Sequence, residues 1–151
     1  MESLLALVIT FEGFSPVLYP DGDLKSIGYG HQVQPEYEFR YEGGITKGEA
    51  WELLIYDLVE VQREVSMLVE VGLNKHQIDA LTSLAYNIGT GALARSKGLE
   101  LINSGRIIDG ATELFHHKKG FVKAGGKILK GLQRRRAAEL ELFFKPDYSF
   151  L

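Results

Sequence analysis

The chain has 151 residues, 45% of them hydrophobic and 25% charged, with no cysteine and a formal net charge of −3. That length suits one domain, or one domain with two lobes, and it buries enough surface to fold without covalent staples. The lack of cysteine excludes disulfides and thiolate metal sites; no apolar run reaches the roughly 18 residues of a membrane span, and the apolar opening carries Glu2 but no basic residue, unlike a secretory leader.

In chain order, residues 3–12 predict a short helix. Leu4, Leu5, Val8 and Phe11 recur at helical spacing, with Ser3 as N-cap and Gly13 as the stop. A small β region follows: residues 17–19 and 25–29 flank Pro20-Asp21-Gly22-Asp23, which is turn chemistry. Residues 34–44 read as an excursion or hairpin, in which the alternation of Tyr37, Phe39 and Tyr41 predicts a half-buried strand. Thr46-Lys47-Gly48-Glu49 is a capping box, and the helix it opens persists to about Glu70, a spine of about 35 Å at 1.5 Å per residue.

A second capping box, Asn74 to Gln77, opens a helix that runs to Asn87 and stops at Gly89. Residues 99–103 predict a helix ended by Gly105, and Asp109 is placed as the cap of a helix over 110–117. Residues 118–131 are rich in Gly and Lys and read as loop. Residues 132–144 predict a last helix, stopped before Pro146. The fold class is α+β: a small N-terminal α/β lobe with a β-hairpin over 1–45, a long helix over 46–71, and a helical lobe over 72–151, all within one domain.

Charge is unevenly distributed. Residues 1–94 carry a net −9, residues 95–136 a net +8, and the last fifteen a net −2. Lys118, Lys119, Lys123, Lys127 and Lys130 form the basic strip, which suits either a solvated face or attraction to a polyanion. No groove-reading motif accompanies it, so nucleic acid is not an expected partner. His31, His76, His116 and His117 show no metal-ligand spacing with carboxylates, so no metal and no cofactor is expected. Arg134, Arg135 and Arg136 precede Glu139 at helical spacing, which suits internal ion pairs as well as ligand contacts.

The segment from Glu12 to His31 reads EGFSPVLYPDGDLKSIGYGH. Glycosidic cleavage generally takes two carboxyl groups, one protonated to assist the leaving oxygen and one ionised on the other face of the sugar. Glu12 suits the acid: it ends an apolar helix, where the dipole and desolvation both disfavour its charged form. Asp21 suits the ionised partner, in a polar turn open to water. Ser26 can donate to Asp21 or hold a water. Gly28 and Gly30 leave room for a sugar to approach the backbone, and His31 can bond a neighbouring carboxylate. The spacing alone does not separate this reading from a surface glutamate, a turn aspartate and structural glycines.

Glu12-Gly13-Phe14, Tyr19-Pro20-Asp21 and Ser26-Ile27-Gly28-Tyr29-Gly30-His31 together resemble the active-site signature of the phage lysozyme and endolysin family, glycoside hydrolase family 24. The resemblance continues through Leu73 to Leu81, Leu84 to Gly89, and Ala124 to Glu139, in order over nearly the whole chain. It implies a small α/β lobe and a larger helical lobe joined by a long helix, with a cleft between them. It also implies a muramidase that cleaves the β-1,4 bond between N-acetylmuramic acid and N-acetylglucosamine with inversion, its carboxyls about 6.5–9.5 Å apart.

By the same resemblance Glu12 is the acid, Asp21 the carboxylate, and Ser26 stands at the family's threonine position. Tyr29, Tyr86 and Asn87 join Gly28, Gly30 and His31 as substrate-binding candidates. Two departures stand out besides Ser26: the Asp21-to-Ser26 turn is one residue shorter than the common form, and residues 116–121 look inserted. The implied partner is bacterial peptidoglycan, reached by a monomer with no stable membrane insertion. The expected location is the host cytoplasm before holin-dependent release, or the virion. A lytic transglycosylase and a non-catalytic wall-binding or phage structural module are the competing readings. Asp21 argues against the first, and retention of both carboxylates argues against the second.

Overall fold

In the computed structural model, which describes residues 1–146, the chain forms two compact units. One holds residues 4–60 with Glu2; the other starts at Val61 and includes Met1 and Ser3. The predicted domain continues to 151, so its last five residues lie outside the described ones.

The first unit begins with α1 (Glu2–Glu12). The helix already includes Ser3, which is therefore not its cap. Leu4, Leu5 and Val8 are its buried face. Gly13, with φ +68°, ends it as expected and lets its N–H reach back to the Ile9 carbonyl. Three antiparallel strands follow in the order β1 (Ser15–Asp21), β2 (Leu24–Gly28) and β3 (His31–Val33). Asp21 pairs with Leu24, so the turn is only Gly22-Asp23, and Asp21 is the last residue of a strand rather than part of the turn. Ile27 and Val33 are the sheet's buried residues beside Ser26 and Gly28.

Residues 34–44 form no strand. Pro35, with its fixed φ, opens a 3-10 helix over Pro35–Tyr41 instead. At three residues per turn Tyr37 and Arg40 eclipse, and the Arg40 guanidinium stacks 4.6 Å from the Tyr37 ring and 5.8 Å from that of Phe39. Tyr37 and Phe39 are 45% and 65% exposed, so the half-buried strand read from their alternation is wrong. Helix α2 (Lys47–Leu68) then opens on the predicted box: Thr46 Oγ1 accepts from Glu49 N at 3.1 Å, and Glu49 Oε1 accepts from Thr46 N at 3.4 Å. Ala50, Leu54 and Leu58 are its buried residues in this unit, and the unit boundary falls inside the helix.

In the second unit α3 (Lys75–Ile88) carries the full Asn74–Gln77 capping box and ends at Gly89, φ +91°. Helix α4 (Thr90–Ala94) was not anticipated, and α5 (Lys97–Asn103) starts earlier than expected because Ser96 caps it. Helix α6 (Ile107–Phe115) starts before Asp109. That residue is not its cap; it accepts from Arg106 Nε at 2.9 Å. Gly98 on α5 and Gly110 on α6 face each other: a Cβ on Gly110 would sit 2.5 Å from the Gly98 carbonyl oxygen, so the two helices approach at a distance only glycine permits. The inserted-looking segment closes on itself, with His116 Nδ1 accepting from the N–H groups of Lys118 and Lys119 at 3.1 and 3.2 Å. Slight burial, then the neighbouring His117, Lys119 and Lys118, push the His116 imidazole below its usual range, against the pull of Glu113. A neutral ring suits that acceptor role.

Residues 118–131 are not all loop. They hold a two-stranded hairpin, β4 (Lys123–Ala124) and β5 (Lys127–Ile128), and α7 (Lys130–Phe143) begins inside them. The core of this unit includes Leu81, Leu84, Leu93, Ile102, Leu114, Phe115 and Phe143, with the last two rings 5.8 Å apart.

Within that core sits a buried ion cluster. Glu139 takes Arg136 Nη2 at 2.9 Å and Arg135 Nε at 3.2 Å on Oε1, and Arg136 Nε lies 2.6 Å from Oε2. Ser83 on α3 donates to the same carboxylate at 2.7 Å. Burial pushes the Glu139 carboxyl up, opposed by Arg136, Arg135 and the hydrogen bonds from Ser83 and Arg136. Arg135 and Arg136 are thus internal partners, while Arg134 is exposed. Glu139→Gln strands two buried guanidiniums, so it should cost about 3–5 kcal/mol in urea unfolding. A loss under about 1 kcal/mol would show that the cluster does not hold α3 to α7.

Candidate active site

The register of β1 against β2 assembles the site. Tyr19 lies directly opposite Ser26, and Asp21 lies two residues along the same strand. Cross-strand partners point to one face, and residues two apart on a strand share it. Tyr19, Asp21 and Ser26 therefore project together. Ser26 is fully buried and its hydroxyl donates to Asp21 Oδ2 at 2.7 Å, while Asp21 itself is exposed. The pairing is irregular between Ser15 and Tyr19: four steps on β1 span two on β2, which bulges the strand around Pro16.

Glu12 reaches the same place by another route. It is the last residue of α1, and after the turn at Gly13 the chain enters β1 at Ser15. The Tyr19 hydroxyl registers both carboxyl groups. Burial raises its pKa first, then the charges of Asp21 and Glu12, while the neighbouring Ser26 hydroxyl pulls it down. Glu12, Asp21, Ser26 and Tyr19 thus form one electrostatic neighbourhood. Tyr19 was read only as a strand and signature residue; its two-residue offset from Asp21 was the available signal.

His31 starts β3, and its Nδ1 lies 2.8 Å from Asp57 Oδ2 on α2, with its ring edge-on to Tyr41 at 6.2 Å. Nothing local in the sequence pairs His31 with Asp57, 26 residues away. Gly28 has φ +68°, and a Cβ there would meet Ala50 Cβ at 3.0 Å and Ile45 Cδ1 at 3.3 Å. Its missing side chain lets β2 pack on α2 and opens no space for a ligand. Gly30 also has positive φ. Tyr29 packs its ring 5.5 Å from Phe14, whose face also meets Lys47. Tyr86 and Asn87 belong to the other unit, on the last turn of α3, half-buried and exposed respectively. Among the described residues no group of three His, Asp or Glu side chains could hold a metal ion, and no helix is long and apolar enough to cross a membrane.

Folding places the Tyr19 phenol where it holds its proton more tightly than the free side chain. The stability it contributes is complete below its ordinary value of 10.0 and is lost as pH rises through the higher folded value. Asp21→Asn removes a charge that raises it. Tyrosine-resolved NMR should show the Tyr19 titration move down in that variant; an unmoved titration would separate Tyr19 from Asp21.

With this geometry in view, comparison with known proteins is informative. The phage lysozyme family model matches residues 9–139. The endolysin of Bacillus phage B103 is 35% identical over 144 residues, covering 93% of this chain but 52% of the phage protein. The endolysin of Acyrthosiphon pisum secondary endosymbiont phage 1 is 30% identical, covering 94% and 95% of the two chains. The chain thus spans about half the length of the Bacillus phage relatives it matches and nearly all of the other. Among solved structures, the muramidase domain of SpmX from Asticaccaulis excentricus superposes with a TM-score of 0.81 at 31% identity, covering 97% of each chain. A P22 lysozyme variant gives a TM-score of 0.79 at 31% identity, covering 96% of this chain and 97% of its own. The site residues lie within the matched span, the fold agrees along nearly the whole chain, and on both grounds this chain belongs to the phage lysozyme family.

Proposed function

We propose that this chain is a peptidoglycan hydrolase, a muramidase that cleaves the β-1,4 bond between N-acetylmuramic acid and N-acetylglucosamine with inversion. The observation that carries the reading is the 2.7 Å hydrogen bond from buried Ser26 to exposed Asp21. It aims a solvated carboxylate, beside a second one, without covering it. Glu12 donates the proton to the leaving oxygen. Asp21 takes a proton from the attacking water, with Ser26 helping to place that water. In this reading the carboxyls stand about 6.5–9.5 Å apart with the substrate in place.

Tyr29, Gly30, His31, Tyr86 and Asn87 are the proposed sugar contacts, with His31 held by Asp57; Gly28 is left out because its face is filled. The exposed lysines at 118, 119, 123, 127 and 130 add long-range attraction to the anionic wall. The biological setting that fits is phage-mediated lysis or wall penetration. The protein acts as a monomer from the host cytoplasm, with a holin opening the way, or from the virion.

Digestion of purified peptidoglycan, with mass spectrometry of the soluble products, tests the reading. The chain as it stands should release reducing muramic-acid ends, and Glu12→Gln should fall by at least about 100-fold with its fold intact. Anhydro ends would make the chemistry that of a lytic transglycosylase, and no product on several wall types would favour a binding module. Ser26→Thr should keep or raise turnover, because threonine retains the hydroxyl and adds the methyl that limits its rotamers. A severe loss in that folded variant would mean that the short turn has changed how the water is held.

A further inference from the structure

The segment between Glu113 and Glu139 contains no acidic residue, and its Lys118, Lys119, Lys123, Lys127 and Lys130 are all exposed. Apolar side chains stand among these charges. Ile128 is 45% exposed and Leu129 44%, on a stretch from Lys123 to Gly131 that is exposed throughout. In the register of the hairpin Lys123 lies opposite Ile128, so an ammonium and an aliphatic side chain share one face. Gly125 and Gly126, with φ +58° and +79°, close the two-residue turn between the strands. The base is fixed: Leu129 N donates to the carbonyl of buried Val122 at 2.9 Å, and buried Arg136 donates to that of Phe121 at 3.2 Å. A well-anchored hairpin thus carries two aliphatic side chains out into water, where their hydration is unfavourable.

We propose that the β4–β5 hairpin and the first residues of α7 form a peripheral membrane-binding surface, whose occupant is a bilayer of anionic lipid. Ile128 and Leu129 enter the interface, and the five lysines meet the headgroup phosphates with their ammonium groups. The combination selects this occupant. A hydrated polyanion such as a wall polymer would use the lysines alone and leave the aliphatic pair in water, whereas a bilayer interface takes up both. The whole chain carries −3, so a negatively charged surface attracts it only through a local basic patch of this kind. This surface belongs to the second unit, while Glu12, Asp21 and Ser26 belong to the first, and the proposal does not rest on the hydrolase reading.

The test is co-sedimentation of the intact chain with vesicles, either of phosphatidylcholine alone or of phosphatidylcholine with phosphatidylglycerol. Binding is expected only to the anionic vesicles, and it should fall at least about tenfold as salt rises from ~0.05 to ~0.5 M. Lys123→Gln with Lys127→Gln should weaken it about 25-fold, at roughly fivefold per lysine. Ile128→Ser with Leu129→Ser keeps every charge and should still weaken it at least about tenfold. All four side chains are exposed, so the unfolding midpoint should not move. Leu129→Trp gives a second readout: its emission should shift to the blue on the anionic vesicles, beyond any shift of Trp51 in the unaltered chain. No binding to the anionic vesicles overturns the proposal, and so does the absence of that added shift. Binding that needs the lysines but ignores the change at Ile128 and Leu129 means a general attraction to polyanions, wall polymers included, and overturns the bilayer as occupant. The vesicles contain no peptidoglycan, so each of these results leaves the hydrolase reading to its own test.

Discussion

The candidate site stands on one cross-strand register, Tyr19 opposite Ser26. A slip of one residue would turn every side chain of β1 to the other face. Tyr19 and Asp21 would then leave Ser26, whose buried hydroxyl would lose its acceptor, at a cost of about 1–3 kcal/mol. Three features hold the register. The two-residue turn at Gly22-Asp23 leaves no slack, and Gly22 takes the positive φ of +62° that so short a loop requires. On its other side β1 is fixed where the Pro16 carbonyl accepts from Ile45 N at 2.8 Å, a bond that a slip would break. The far end of β2 is pinned where Gly28 comes within 3.0–3.4 Å of Ala50 and Ile45, a fit that admits no Cβ.

Polar groups in the second unit serve a different purpose. The cluster of Glu139, Arg135, Arg136 and Ser83 takes charges out of water, and such a cluster is costly unless every member is paired. Here the carboxylate receives both guanidiniums and a hydroxyl, and Arg135 and Arg136 also donate to the Ser83 and Phe121 carbonyls, each at 3.2 Å. The bonds to Ser83 tie α3 to α7 with directional contacts that apolar packing alone lacks. A second tie is Gln62 on α2, which donates to buried Asp79 on α3 at 2.8 Å. These bonds depend on direction as well as distance, which makes this interior selective as well as apolar.

Much of the fold is legible locally. The capping boxes at Thr46 and Asn74, and the stops at Gly13 and Gly89, were readable because donor and acceptor lie within one turn of each other. The errors arise where one pattern serves two structures. Alternating Tyr37, Phe39 and Tyr41 has the period of a strand, yet Pro35 starts a 3-10 helix in which Arg40 stacks on the Tyr37 ring and Tyr37 and Phe39 stay exposed. Asp109 looks like a cap, but Arg106 engages its carboxylate inside a helix already begun. The hairpin in the lysine-rich segment escaped because each of its strands is two residues long, too short for any period to register.

The sequence by itself determined the capping boxes at Thr46 and Asn74, the glycine stops at Gly13 and Gly89, and the family resemblance that offers Glu12, Asp21 and Ser26 as candidates, because those signals lie within short windows of chain. Tertiary structure alone decided three things: that His31 is held by Asp57, that Gly28 serves packing rather than open space, and that Tyr19 shares the surroundings of both carboxyls. Each depends on distance between groups that folding brings together, and on burial that strengthens their interaction. No one-dimensional pattern records either quantity. Even so, the alternation of Tyr19 and Asp21 on one strand already contained half of that last relation; the register of β2 supplied the rest.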